Sequence, residues 1–153
     1  MSKKAHWGNG TWYLFHIIAE KITVEIFNKE RINLIYILNK ICGLLPCPTC
    51  SEHANKYLQR INFNLIKNNE DFKIFLFNFH NTVNHRTGKK IFTREELAQK
   101  YKNGDIKNII NYFMKTFFTR TANERMFLYS YQRKINQKKI FNYLTYLEAQ
   151  IAR

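Results

Sequence analysis

The chain has 153 residues, 45% hydrophobic and 24% charged, with a formal net charge of +14. Collagen-like, low-complexity and wholly disordered chains are excluded by these proportions, and the length suits one domain with or without an appendage. The charge invites a nucleic-acid or anionic-membrane partner. However, Phe, Ile, Lys, Asn and Tyr, all encoded by AT-rich codons, make up 75 residues. The basic groups also form no dense block, so nucleic acid is not the expected partner.

No transmembrane segment is expected, because runs such as Ile32 to Leu38 are too short and too interrupted. The opening Met-Ser-Lys-Lys-Ala-His-Trp-Gly lacks an apolar stretch and a cleavage site, so Sec-type export is not expected.

From the N-terminus, Thr11 is placed to cap a first helix reaching about Phe27. Trp12, Phe15, Ile18, Ala19 and Ile22 recur along it at three- and four-residue spacing. Asn28 is the expected cap of a second helix with an Ile32, Ile35, Leu38, Ile41 stripe, ended by Gly43. Pro48 suits the first turn of a third helix over about 47–61. A fourth should span about 71–86. Thr93-Arg94-Glu95-Glu96 reads as a capping box before a short helix. Asp105 and Thr121-Ala122-Asn123-Glu124 are the next start signals, with a helix expected over 106–118 between them. Strand alternation is weak throughout, so the expected fold is all-α: a compact bundle with a helical extension.

The chemistry centres on three cysteines, too few for a disulfide scaffold. Cys47-Pro48-Thr49-Cys50 is a CxxC, flanked by Pro46, and suits a redox disulfide, half a zinc site or a buried pair. At a helix start, unsatisfied N–H groups and the positive end of the dipole favour negative charge on Cys47. Such a pair can form a readily exchanged disulfide. Cys42 reads as a buried structural thiol. His53, three residues beyond Cys50, shares its helical face. The fourth helix sets His80, Asn81 and Asn84 among aromatic residues. Buried polar groups need partners, and a nucleotide cofactor with an aromatic ring system would supply them.

Three blocks together resemble the FAD-linked sulfhydryl oxidases of the Erv/Alr family. They are His6-Trp7-Gly8-Asn9-Gly10-Thr11-Trp12-Tyr13-Leu14-Phe15-His16, then Pro46-Cys47-Pro48-Thr49-Cys50-Ser51-Glu52-His53, then His80-Asn81-Thr82-Val83-Asn84 with Gly88-Lys89. The family pattern is W-x3-H, P-C-x-x-C and H-N-x-V-N followed by G-K. The resemblance covers about residues 6–101 and is greatest to the branch found in large cytoplasmic DNA viruses.

The resemblance implies a four-helix bundle plus a short fifth helix, with FAD held non-covalently. The FAD-binding domain would be residues 1–105, and residues 106–153 would be a helical C-terminal extension for an interface or partner docking. Trp12 and His16 would contact the flavin nucleotide, and Gly8, His53 and Val83 would also bind the cofactor. His80, Asn81 and Asn84 would bind the adenosine side, and Lys89 would approach the phosphates. Phe75 and Tyr101 stand where family members often carry tryptophan. Electrons would pass from a substrate dithiol through Cys47 and then Cys50 to FAD, and on to O2, giving hydrogen peroxide.

The chain lacks the shuttle cysteines of many cellular members, so substrates would reach Cys47 directly or through a thioredoxin-like viral redox protein. A homodimer in the host cytoplasm, at virus assembly sites or in the virion is the implied setting. The main alternative is a zinc-binding nucleic-acid module using Cys47, Cys50, His80 and His85, although its 29-residue gap between pairs is long for a zinc finger. A thioredoxin-like fold is a weaker rival, since it needs strands. A non-enzymatic assembly protein is a third.

Overall fold

A computed structural model describes residues 3–119 and 127–153. Among these the chain is helical throughout, with no strand. The helices are α1 (Lys3–Lys21), α2 (Val24–Cys42), α3 (Pro48–Gln59), α4 (Asn69–Thr87), α5 (Arg94–Tyr101), α6 (Ile106–Phe117) and α7 (Phe127–Ile151), with a 3-10 turn at Phe63–Leu65 before α4. The expected bundle, short fifth helix and helical extension are all present. The start signal at 121–124 lies outside the described residues.

Several helix ends follow from local chemistry. Asn68 caps α4 and Asp105 caps α6, each side chain accepting a backbone N–H of the first turn. Thr93 and Glu96 complete the capping box of α5. Gly88 closes α4 with φ +71°, a left-handed conformation that glycine adopts without strain.

The first two helices differ from expectation. Thr11 lies inside α1, its hydroxyl donating to the Trp7 carbonyl, and does not start the helix. A threonine can satisfy itself this way within a helix. The break falls at Ile22–Thr23, and Thr23 caps α2, so Asn28 is an interior residue. The buried stripe of α2 is Leu34, Ile37, Leu38 and Ile41, while Ile32 is exposed.

One hydrophobic core takes residues from both parts of the chain. Leu14, Ile17 and Ile18 of α1 share it with Ile110, Phe113 and Phe117 of α6 and Ile140, Leu144 and Leu147 of α7. Helix α6 packs most extensively against α1. At the turn entering α6, a Cβ on Gly104 would lie 2.0 Å from the Ile17 Cδ1, so only glycine lets the backbone approach. Helix α7 is tied to α2 by the buried Glu30, whose carboxylate accepts from Tyr143 (3.2 Å) and Tyr146 (2.9 Å) hydroxyls. No helix among the described residues is long and apolar enough to cross a membrane.

Candidate active site

Cys47 is the N-cap of α3, with Pro48 in the first turn, where its missing N–H costs nothing. The Cys47 Sγ accepts the Cys50 N–H at 3.3 Å, so the sulfur takes the place of a capping oxygen. One turn on, Cys50 lines a cavity of about 290 Å3 between α1, α3, α4 and α5. Trp7, Gly8, Trp12 and Phe15 come from α1, and Phe79, His80, Val83 and Asn84 from α4. Tyr101 and Lys100 come from the end of α5.

Stacked rings form the wall. Trp12 lies on His80 with centroids 4.0 Å apart and planes 8° apart. Behind it, His16 Nε2 and His80 Nδ1 are 2.9 Å apart, one ring donating and the other accepting. His16 in turn stacks on Tyr101 at 4.5 Å. Burial pushes both histidines down to about 3, and the nearby Lys100 charge acts in the same direction. Burial therefore keeps both rings neutral at pH 7, and the short contact is a hydrogen bond from the N–H of one ring to the bare nitrogen of the other. Burial likewise pushes the Cys42 thiol, also on the cavity wall, up to about 12, which makes it a poor nucleophile.

Two asparagines shape the mouth. The Asn81 side chain donates to the Phe92 carbonyl (2.8 Å) and accepts the Phe92 N–H (2.9 Å). Asn84 Nδ2 donates to the Lys90 carbonyl at 3.0 Å. Together they fold the segment after Gly88 back over α4, bringing Phe92, Lys89 and Lys90 to the cavity. Arg86 and Lys100 add further positive charge there. An aromatic wall, a cysteine at one end and a basic mouth form a donor set suited to a dinucleotide carrying a flat ring system and phosphates.

The sequence model of the Erv1 / Alr family matches residues 9–102. The chain belongs to the Erv1/Alr family. Among its relatives, the FAD-linked sulfhydryl oxidase of African swine fever virus (isolate Tick/Malawi/Lil 20-1/1983) is 36% identical, over 70% of this chain and 88% of that protein. The protein of the same name from the Warthog/Namibia isolate is 35% identical, over 68% of this chain and 87% of its own length. The putative FAD-linked sulfhydryl oxidase 096R of Invertebrate iridescent virus 3 is 30% identical, over 63% and 66% respectively. No solved structure matches the chain.

Of the residues assigned from the Erv/Alr motifs, Cys50, Gly8, Trp12, His80, Val83, Asn84, Lys89 and Tyr101 line the cavity. Cys47 is not in the lining; it stands one turn earlier, at the start of α3. His16 lies behind the wall, bonded to His80, and Asn81 is engaged with the Phe92 backbone. Two further assigned residues also fall outside the lining. His53 is exposed, and Ala54 occupies the lining beside Cys50. Phe75 is buried between Phe63, Phe72 and Phe79, and Phe79 lines the cavity in its place. Phe92 and Lys90, which no motif marks, arrive through the two asparagine clasps, and Lys100 arrives on α5 beside Tyr101.

The geometry does not support the zinc alternative. His80 is buried and bonded to His16, whereas His85 is exposed. Among the described residues no group of three or more His, Cys, Asp or Glu side chains could hold a metal ion.

Proposed function

We infer that this Erv/Alr chain is an FAD-linked sulfhydryl oxidase that makes disulfide bonds in protein dithiols. The observation that carries the reading is the position of Cys50, which lines the same cavity as the Trp12–His80 wall and the basic mouth. Trp12, His80, Tyr101 and Phe92 would hold the ring systems of FAD, and Lys89, Arg86 and Lys100 would face its phosphates. When bound, FAD supplies two-electron acceptance from a thiolate and delivery of those electrons to O2, which leaves as hydrogen peroxide.

The protein's part is thiol exchange and placement. A substrate thiolate attacks Cys47 of a Cys47–Cys50 disulfide, forming a mixed disulfide and displacing Cys50 as a thiolate. The second substrate thiol then releases Cys47 and leaves as the substrate disulfide. Cys50 on the cavity wall and Cys47 at the N-cap, outside the lining, support this division of roles. The aromatic wall excludes water. The neutral His16–His80 pair presents no positive charge beside the ring site.

The donor is a protein dithiol, and a thioredoxin-like viral protein fits a chain whose CxxC has no second cysteine pair to relay through. Relatives from viruses suit a viral role, and the proposed setting is the host cytoplasm, virus assembly sites or the virion. A homodimer is supported by Ile32 and Tyr36, one turn apart on α2 and both exposed.

The test is thiol-dependent oxygen consumption by Cys47→Ser and Cys50→Ser variants that still bind FAD. Both should lose turnover with dithiothreitol, at least a hundredfold on the scale of a removed nucleophile (~3 kcal/mol). Retained turnover in Cys47→Ser would contradict the attack site.

A further inference from the structure

The turn before the CxxC is held from outside the family-matched segment. Leu44 and Leu45 immediately precede Pro46 and Cys47. Their four backbone polar groups are all engaged. The Leu44 N–H donates to the Ile41 carbonyl at 3.0 Å. The Leu45 N–H donates to Ser51 Oγ at 2.8 Å. The remaining two, both carbonyls, are claimed by α7: Arg133 donates to Leu44 and the Tyr129 hydroxyl donates to Leu45. Tyr129 also meets Ser51, the residue after Cys50, at 2.9 Å between oxygens.

Arg133 is an unusual residue to find here. It is 4% exposed, and its hydrogen bonds go to two backbone carbonyls, Leu44 and Phe117. Its guanidinium lies over the Phe117 and Phe118 rings, 4.9 and 5.4 Å from their centroids. A buried cation is costly, and a well-packed apolar residue would stabilise the core at least as well. The planar fork does something an apolar side chain cannot, which is to bridge the end of α6 to the turn that carries the CxxC. Burial pushes the Tyr129 phenol up, the Ser51 hydrogen bond and the Arg133 charge oppose that rise, and Cys47 and Cys50 add to it.

We propose that Tyr129 and Arg133 are positioning residues for the Cys47–Cys50 pair, acting through the Leu44–Leu45 backbone and Ser51 to hold Cys47 for attack and Cys50 against the cavity. The proposal rests on the redox reading of that pair. It makes the C-terminal helix part of the thiol half of the reaction; Leu45 also lines the cavity, but none of the bonds to the turn involves the Trp12–His80 wall, so the oxygen half should change far less.

That split can be measured on the full-length flavin-loaded protein. Tyr129→Phe removes one hydroxyl from a half-buried ring. Arg133→Lys keeps the charge and loses the fork, and Arg133→Met loses both. Stopped-flow absorbance would give flavin reduction by dithiothreitol without oxygen, and reoxidation by O2, each per bound flavin. The expected result is reduction slowed about tenfold in Tyr129→Phe and Arg133→Lys, with reoxidation within about twofold of the parent. Reduction unchanged within about twofold, or both halves slowed equally, would overturn the proposal. If Arg133→Met fails to fold, Tyr129→Phe still decides it. Cys47→Ser is run alongside: reduction at the parent rate there would refute the redox pair itself, whatever the tail variants do.

Discussion

Individual side chains in the cavity wall set a pH dependence. His16 and His80 are neutral in the fold, pushed by burial to about 3, against about 6.5 for an exposed imidazole. The unfolded chain therefore binds more protons than the folded chain at any pH between these values. Stability should be complete above pH 6.5 and fall as pH drops towards 3, by up to about 1.4 kcal/mol per pH unit for each histidine. Urea titrations at pH 7, 6, 5 and 4 would show it, and the slope should shrink in His16→Gln. A midpoint independent of pH over that range would contradict the neutral pair. Asn81 gives a second test at this scale. Asn81→Ala strips the Phe92 backbone of two bonds, a loss of about 1 to 3 kcal/mol. Flavin retained after gel filtration should drop while helical circular dichroism at room temperature persists.

Helix boundaries show what can be read from sequence and what cannot. Thr93, Asp105 and Pro48 carry their signals locally, and each helix starts where its cap chemistry places it. Thr11 has the same chemistry but satisfies its hydroxyl on a preceding carbonyl, so a cap residue type is not a cap without a break in the pattern. The break at Thr23 is hidden because apolar residues continue on both sides. The site divides the same way. His80, Asn84 and Cys50 sit in motifs that fix their faces. Within those helices, a one-residue difference in facing exchanged His53 for Ala54, and a shift of one turn along the same face exchanged Phe75 for Phe79. Phe92 and Lys90 reach the cavity through a loop closure that no local spacing encodes. Helix α7 has apolar residues around much of its circumference, with Phe127, Tyr131, Ile135 and Phe141 exposed and Ile140, Leu144 and Leu147 buried. Its buried stripe is consequently illegible without the Glu30 and Leu44–Leu45 contacts. Glu30→Ala should leave two phenols unpaired and lower stability by about 1 to 3 kcal/mol, measured by denaturant unfolding. An unchanged midpoint would show that the α2–α7 tie contributes nothing.

Across the whole molecule, one core joins the family-matched segment to the chain beyond it. Leu14 and Ile17, both fully buried, face residues that come after 105. Ending the chain at residue 105 would expose that face, so the shortened protein should lack a cooperative thermal transition and bind no flavin. A sharp transition with bound flavin would show residues 106–153 to be dispensable to the fold. The exposed Ile32 and Tyr36 predict a dimer by sedimentation, and Ile32→Lys should shift the protein towards monomer. The central claim is that substrate electrons enter at the CxxC, cross to FAD in the cavity and leave with oxygen. The visible spectrum of the purified, FAD-loaded protein tests it most directly, before and after anaerobic dithiothreitol and again after air. The account predicts a flavin spectrum that bleaches with thiol and returns with air as hydrogen peroxide appears. A protein that stays colourless after added FAD, or a bound flavin that thiol does not bleach, would contradict it.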